Sequence, residues 1–201
     1  VLTKDNISYI LKGLVSDTEY SKTVSVEELQ SNDYVLNYNR YVTSDVKFDN
    51  GKKFGDLIVS VRRGRSYNTK DLSSDKTTTT TDMQYLALAN IKNGVIDDEL
   101  PYLKSDAEFS KRSNAFLKEN DLIISKSGQP YKIAVANPRP EQHIIPSGNM
   151  YVIELDTNKV SPYYIKSFFE SQRGKALLNS RSNRASIINI SLEELQKIEI
   201  P

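Results

Sequence analysis

The sequence predicts an α+β protein: a twisted, mixed or antiparallel sheet with flanking helices, preceded by a helical and extended N-terminal arm. Two textures carry this prediction. From Asp56 onward, short runs rich in Val, Ile, Leu and Tyr alternate with Gly, Pro, Asn and Asp, as strands alternate with turns. One stretch, "SPYYIKSFFESQRGKALLNS" (161–180), instead has helical periodicity. No fixed-period repeat interrupts either, so the elements belong to one packed unit with an attachment.

In chain order, residues 3–13 read as a short amphipathic helix with Thr3 as N-cap and Gly13 as stop. In "SVEELQ", Ser25 and Glu28 form a capping box that starts a second short helix. "NDYVLNYNRYV" (32–42) is aromatic, polar and extended, its Tyr residues suited to a surface. "DVKFDNGKKFG" is a connector with a turn at Asn50-Gly51. Strands are predicted at "DLIVSV", "QYLALANI", "GVI", "DLIIS", "YKIAVAN" and "MYVIEL".

Between the first two of these, "RRGRSYNTKDLSSDKTTTTTDM" can bury little and reads as a long, mobile, exposed loop. In the strong helix, Ser161 is a natural N-cap, Pro162 fits the first helical position, and Tyr164, Ile165, Phe168, Phe169, Ala176 and Leu177 form an apolar stripe. Gly174 predicts a kink or a break. "ISLEELQKIEIP" closes the chain with a Ser191/Glu194 capping box and a last short strand.

Bulk properties narrow the function. The 201 residues are 38% hydrophobic and 26% charged, enough for one full domain with a real core plus an attachment. No run approaches the ~18 apolar residues of a membrane span, and no charged-then-apolar segment opens the chain, whose start at Val1 reads as that of a fragment. The absence of cysteine excludes disulfides, thiolate zinc sites and cysteine nucleophiles, and suits a reducing cytoplasm. A net charge of +1 excludes a global polycation, so any nucleic-acid surface must be local. Local basic clusters exist: Arg62, Arg63 and Arg65 in one, and Arg173, Lys175, Arg181 and Arg184 in another. They suit either a phosphate-binding surface or an ordinary solvated face.

Catalytic motifs are missing. His143 is the only histidine and lies in the turn-rich "RPEQHIIPSG", where it reads as structural or surface. There is no phosphate-cradling Gly-Lys-Ser loop and no dinucleotide fingerprint. The nuclease-like Asp45-Val46-Lys47 lies in the connector with no strand-borne acid before it. The Asn/Asp-Pro-Pro-aromatic signature of amino methyltransferases is absent too. No catalysis, no metal and no cofactor are expected of this stretch.

The ordered segments "FGDLIVSVRRGRS", "YLALANIKNGVI", "LKENDLIISKSGQPYKIAVA", "SGNMYVIEL", "SPYYIKSFFESQRG" and "INISLEELQKIEIP" resemble a target recognition domain of the specificity subunits of type I restriction–modification systems. The resemblance covers roughly residues 54–201. "VSVEELQSNDYVLNYNRYV" (24–42) resembles the tail of an adenine-N6 DNA methyltransferase, which makes residues 1–53 an arm and linker and 54–201 the recognition domain. The sequence departs from the family in showing one recognition domain and no heptad array for a spacer helix.

The resemblance implies double-stranded DNA as partner, with a methyltransferase domain or subunit and a restriction (nuclease/translocase) subunit as further partners. S-adenosylmethionine would then belong to the parent methyltransferase. It also implies roles for polar residues. In "RRGRSYN", Arg62, Arg63 and Arg65 suit guanine or phosphate, and Tyr67 and Asn68 suit backbone or adenine. In the hairpin "SKSGQPYK", Lys126 and Lys132 suit phosphates, and Ser127 and Gln129 suit base edges. Arg173, Lys175 and the loop "SRSNRAS", with Arg181, Asn183 and Arg184, complete the expected surface. The competing reading is a protein-interaction module that uses the tyrosine-rich arm and the Ser161 helix, tyrosine being common at 12 residues and at home in protein interfaces.

Overall fold

The structure is a computed structural model that describes residues 22–31, 34, 36, 41, 48–104, 116–182 and 188–201. The expected helix at 3–13 and the Asp45-Val46-Lys47 triplet lie outside the described residues, as does most of the tyrosine-rich segment.

The described chain runs α1 (Val26–Ser31), β1 (Lys52–Lys53), β2 (Ile58–Arg63), α2 (Thr69–Asp75), β3 (Lys76–Thr77), β4 (Met83–Leu86), β5 (Ile91–Lys92), β6 (Val95–Ile96) and β7 (Tyr102–Leu103). It continues through β8 (Leu122–Ser125), β9 (Ile133–Val135), β10 (His143–Pro146), β11 (Met150–Leu155), α3 (Pro162–Glu170), α4 (Gln172–Ser180), α5 (Leu192–Gln196) and β12 (Glu199–Ile200). The fold is α+β. No helix among the described residues is long and apolar enough to cross a membrane.

A central antiparallel sheet has the order β2-β11-β8-β9, and a second, mixed sheet the order β10-β4-β7-β3. Strand β10 runs parallel to β4, with His143 opposite Met83 and Pro146 opposite Leu86. Two short antiparallel pairs complete the fold: the β5–β6 hairpin, and β1 with β12, which brings Lys52 opposite Ile200.

The apolar runs explain the layering. Strand β8 is apolar at three successive positions because both faces of the central sheet are covered, so alternation with polar residues is lost. Leu122 and Ile124 enter one core cluster, with Tyr151, Ile153 and Leu155 of β11 and Ile165, Phe169, Leu178 and Leu195 of the helices. Ile123 enters another, with Met150 and Val152 of β11 and with Leu86 and Ile144 of the mixed sheet. The two sheets therefore face each other across the second cluster, and the helices cover the far side of the first. Full burial of one such side chain, Phe169 or Ile165, contributes about 2–3 kcal/mol. A third, smaller cluster under Tyr67, Leu72 and Phe116 covers Met83, Tyr85, Leu103 and Ile145 on the outer face of the mixed sheet.

Several expectations need correction. The long 62–83 segment is not a structureless loop: Asn68 caps helix α2, and Thr81 anchors its end by donating to Leu103 O at 2.6 Å, although Thr78–Thr80 are exposed. The strong helix is two helices, and the break is at Ser171, three residues before Gly174. Ser171 has extended backbone (ψ 161°) and accepts a hydrogen bond from Gly174 N, starting α4 afresh. Gly174 permits the tight join, because a Cβ there would lie 2.0 Å from Phe168 O. The break resets the helical phase, so Ile165, Phe169 and Leu178 are buried while Tyr164 and Ala176 of the expected stripe are exposed. His143 sits on strand β10, in a segment read as turn-rich.

Candidate nucleic-acid interface

Three loops meet at one end of the central sheet. The segment after β2 and the β10–β11 turn lock together through the backbone: Arg65 N donates to Pro146 O and Gly148 N to Arg65 O, both at 2.8 Å. Two glycines allow that approach. A Cβ on Gly64 would lie 2.0 Å from Ser147 O, and one on Gly148 would lie 2.1 Å from Ser66 Oγ. The β8–β9 hairpin joins them, since Lys126 N donates to Asn149 O at 2.9 Å and Lys126 Nζ to Gly148 O at 2.5 Å.

The C-terminal segment closes the other side of the hairpin. Gly128 N donates to Ile188 O and Ile190 N to Lys126 O, Ser127 bridges Asn189, and the Tyr131 and Ser182 hydroxyls bond at 2.6 Å. The sequence-distant segments 63–66, 126–131, 179–182 and 188–190 are thus neighbours.

Charge at this end is positive. Arg63 is exposed, sits opposite Tyr151 in the sheet, and is paired with no carboxylate among the described residues. The Lys126 ammonium lies 5.2 Å from the centre of the Tyr151 ring. Burial, and after it the charge of Arg63, hold Lys126 below the usual lysine range. Burial pushes the Tyr151 phenol up. The Arg65 guanidinium stacks 5.5 Å over the Tyr67 ring.

Not every expected residue reaches this surface. Arg62 turns to the other face of the sheet and donates to both carboxylate oxygens of buried Asp121 and to Phe116 O. Tyr67 packs edge-on against Tyr85, ring centres 5.4 Å apart, and burial raises its phenol, so its ring serves the packing against the mixed sheet. The Asn68 side chain accepts from Asp71 N at 2.8 Å as the cap of α2. Lys132 points inward and donates to Leu88 O and Ile91 O at 2.6 and 2.9 Å.

The second basic cluster is dispersed. Arg173 lies 4.3 Å over Phe48, and Arg181 is 3.6 Å from Glu194. Exposed Lys175 lines a 240 Å³ groove with Gln129 and Asn179, whose amides are hydrogen-bonded at 3.1 Å. Asn183 and Arg184 lie outside the described residues. His143 Nδ1 is 2.9 Å from Asp82, and no group of three or more metal-ligating side chains occurs among the described residues.

Asn149, exposed on the β10–β11 turn, had no part in the sequence expectation. The Ser-Gly-Asn between two apolar runs signals only a turn; its place beside Lys126 comes from the sheet register.

No protein-family model and no curated protein matches the sequence. Among solved structures, the chain is similar to the S subunit of a type I restriction–modification system from M. genitalium, with a TM-score of 0.45 and 14% identity over 78% of this chain and 36% of that one. It is also similar to the HsdS subunit from Thermoanaerobacter tengcongensis, with a TM-score of 0.49 and 9% identity over 78% of this chain and 34% of that one. The chain spans about a third of the length of each subunit. The chemistry of the site is accordingly read from this chain's own side chains.

Proposed function

We propose that residues 54–201 form a non-catalytic module that recognises double-stranded DNA, of the kind carried by type I specificity subunits, and that it directs an adenine-N6 methyltransferase to its target. The observation that carries this is the convergence of Arg63, Arg65 and Lys126 on interlocked loops at one sheet end, with no carboxylate paired to Arg63 or Lys126 among the described residues. A rigid, locally positive edge of this kind attracts phosphates and leaves an exposed guanidinium for a base edge or backbone oxygen.

In this proposal the arm of residues 1–53 faces the methyltransferase portion, and a restriction subunit is a further partner. Exposed Val26, Tyr34 and Leu36 give the arm an apolar surface suited to a protein partner. S-adenosylmethionine belongs to the methyltransferase portion, and the assembly works in the cytoplasm.

The test is fluorescence anisotropy with labelled duplexes at several salt concentrations. The affinity is expected to fall as salt rises, and Arg63→Ala to reduce the salt slope by about one. Absence of binding to any duplex at low salt overturns the reading in favour of a protein-interaction module.

A further inference from the structure

We infer that Asn149 is a base-reading residue of this surface and that its carboxamide recognises adenine in the major groove. The inference rests on the DNA-binding reading above and adds to it a specific residue and base.

Its position is the first argument. Asn149 immediately precedes β11, which lies between β2 on one side and β8 on the other. Its neighbours are therefore the arginine-bearing segment and Lys126, whose amide binds the Asn149 carbonyl at 2.9 Å. Rigidity is the second. The turn is held by Ser147 N on Leu86 O, Met150 N on Ser147 O, Gly148 N on Arg65 O and Lys126 Nζ on Gly148 O. A side chain presented from so fixed a base loses little freedom on binding, as specific recognition requires.

Availability is the third. Among the described residues, other amides near this end have intramolecular work: Asn68 caps α2, Gln129 bonds Asn179, and Asn189 is engaged as well. The Asn149 carboxamide is exposed and bonds to no described residue, so one donor and one acceptor are free together. That pair matches the N7 acceptor and N6 amine of adenine. Nor does the backbone demand asparagine here. Asn93 and Asn120 have positive φ (51° and 66°), where asparagine relieves strain, and Asn149 does not.

The test is selection of duplexes from a randomised library by the 201-residue chain and by its Asn149→Ala and Asn149→Asp variants, with thermal melts to show that all three fold. The parent should enrich a motif containing an adenine. Asn149→Ala should lose the preference at that position alone, by about 5- to 150-fold. Asn149→Asp, which can only accept, should move that position towards cytosine, whose N4 donates. Should both variants return the parent motif, or the parent motif hold no adenine that depends on Asn149, the inference fails while DNA recognition stands. If the parent enriches no sequence, DNA recognition itself fails and the inference with it.

Discussion

Arg62 donates through Nη2 to both carboxylate oxygens of Asp121, and this ion pair ties β2 to the turn that enters β8. Its neighbour Arg63 projects from the opposite side of the same strand. Consecutive arginines, alike in sequence, thus have separate tasks. Asp121 is only 2% exposed and also accepts from Lys118 N at 2.6 Å.

Arg62→Ala should therefore act on stability. It leaves a buried carboxylate without its counter-charge, at a cost of about 3 kcal/mol. Urea denaturation measures this. A change within about 0.5 kcal/mol, the ordinary surface range, would show that the pair does not hold the strand.

Lys132→Met keeps the stem and deletes the ammonium that binds Leu88 O and Ile91 O. Each bond has a charged donor, so the loss is expected to be about 3 kcal/mol or more in total. The duplex affinity of the folded variant should match the parent. A selective loss of DNA binding without a change in melting would return Lys132 to the interface.

Asn68→Ala removes the cap of α2 and should destabilise the chain by about 1 kcal/mol. Amide exchange should quicken in Thr69–Asp75 and leave β8 protected. Unchanged exchange in α2 together with altered base preference would contradict the capping role.

Lys126 predicts a pH dependence. Its folded pKa lies below the ordinary 10.5, from burial first and the Arg63 charge second. Charged Lys126 is thus a cost to the folded state, present in full below the folded pKa and relieved as pH rises through it towards 10.5. Parent stability relative to Lys126→Met should rise over that alkaline window, and Arg63→Ala should flatten the rise. A difference that falls with pH there would mean that the ammonium is stabilised in the fold.

The elements legible in sequence are those whose own residues require them. "DLIIS" and "MYVIEL" read as strands because each is long enough to need covering on both faces, and the structure places strands β8 and β11 there. Ser25 and Ser191 read as helix starts because capping is local, and each hydroxyl accepts from the amide three residues on. The signal that could have placed Asn68 was equally local, an Asn followed three residues later by Asp71, but the adjoining arginines drew it into the expected DNA surface.

Other features depended on residues far away in the chain. Strands β1, β3 and β7 have two residues each, too short to show a period, and exist because a partner strand is present. The sequence by itself determined that this is an α+β chain with a cysteine-free core and locally clustered positive charge. Tertiary structure alone decided which charges face outward. Side chains alternate along a strand, so pairing β2 with β11 puts Arg62 on the side of Val152 and the buried second cluster, and Arg63 on the side of Tyr151 at the exposed end. A shift of one residue in that register would exchange their roles, and no property of either arginine alone specifies it.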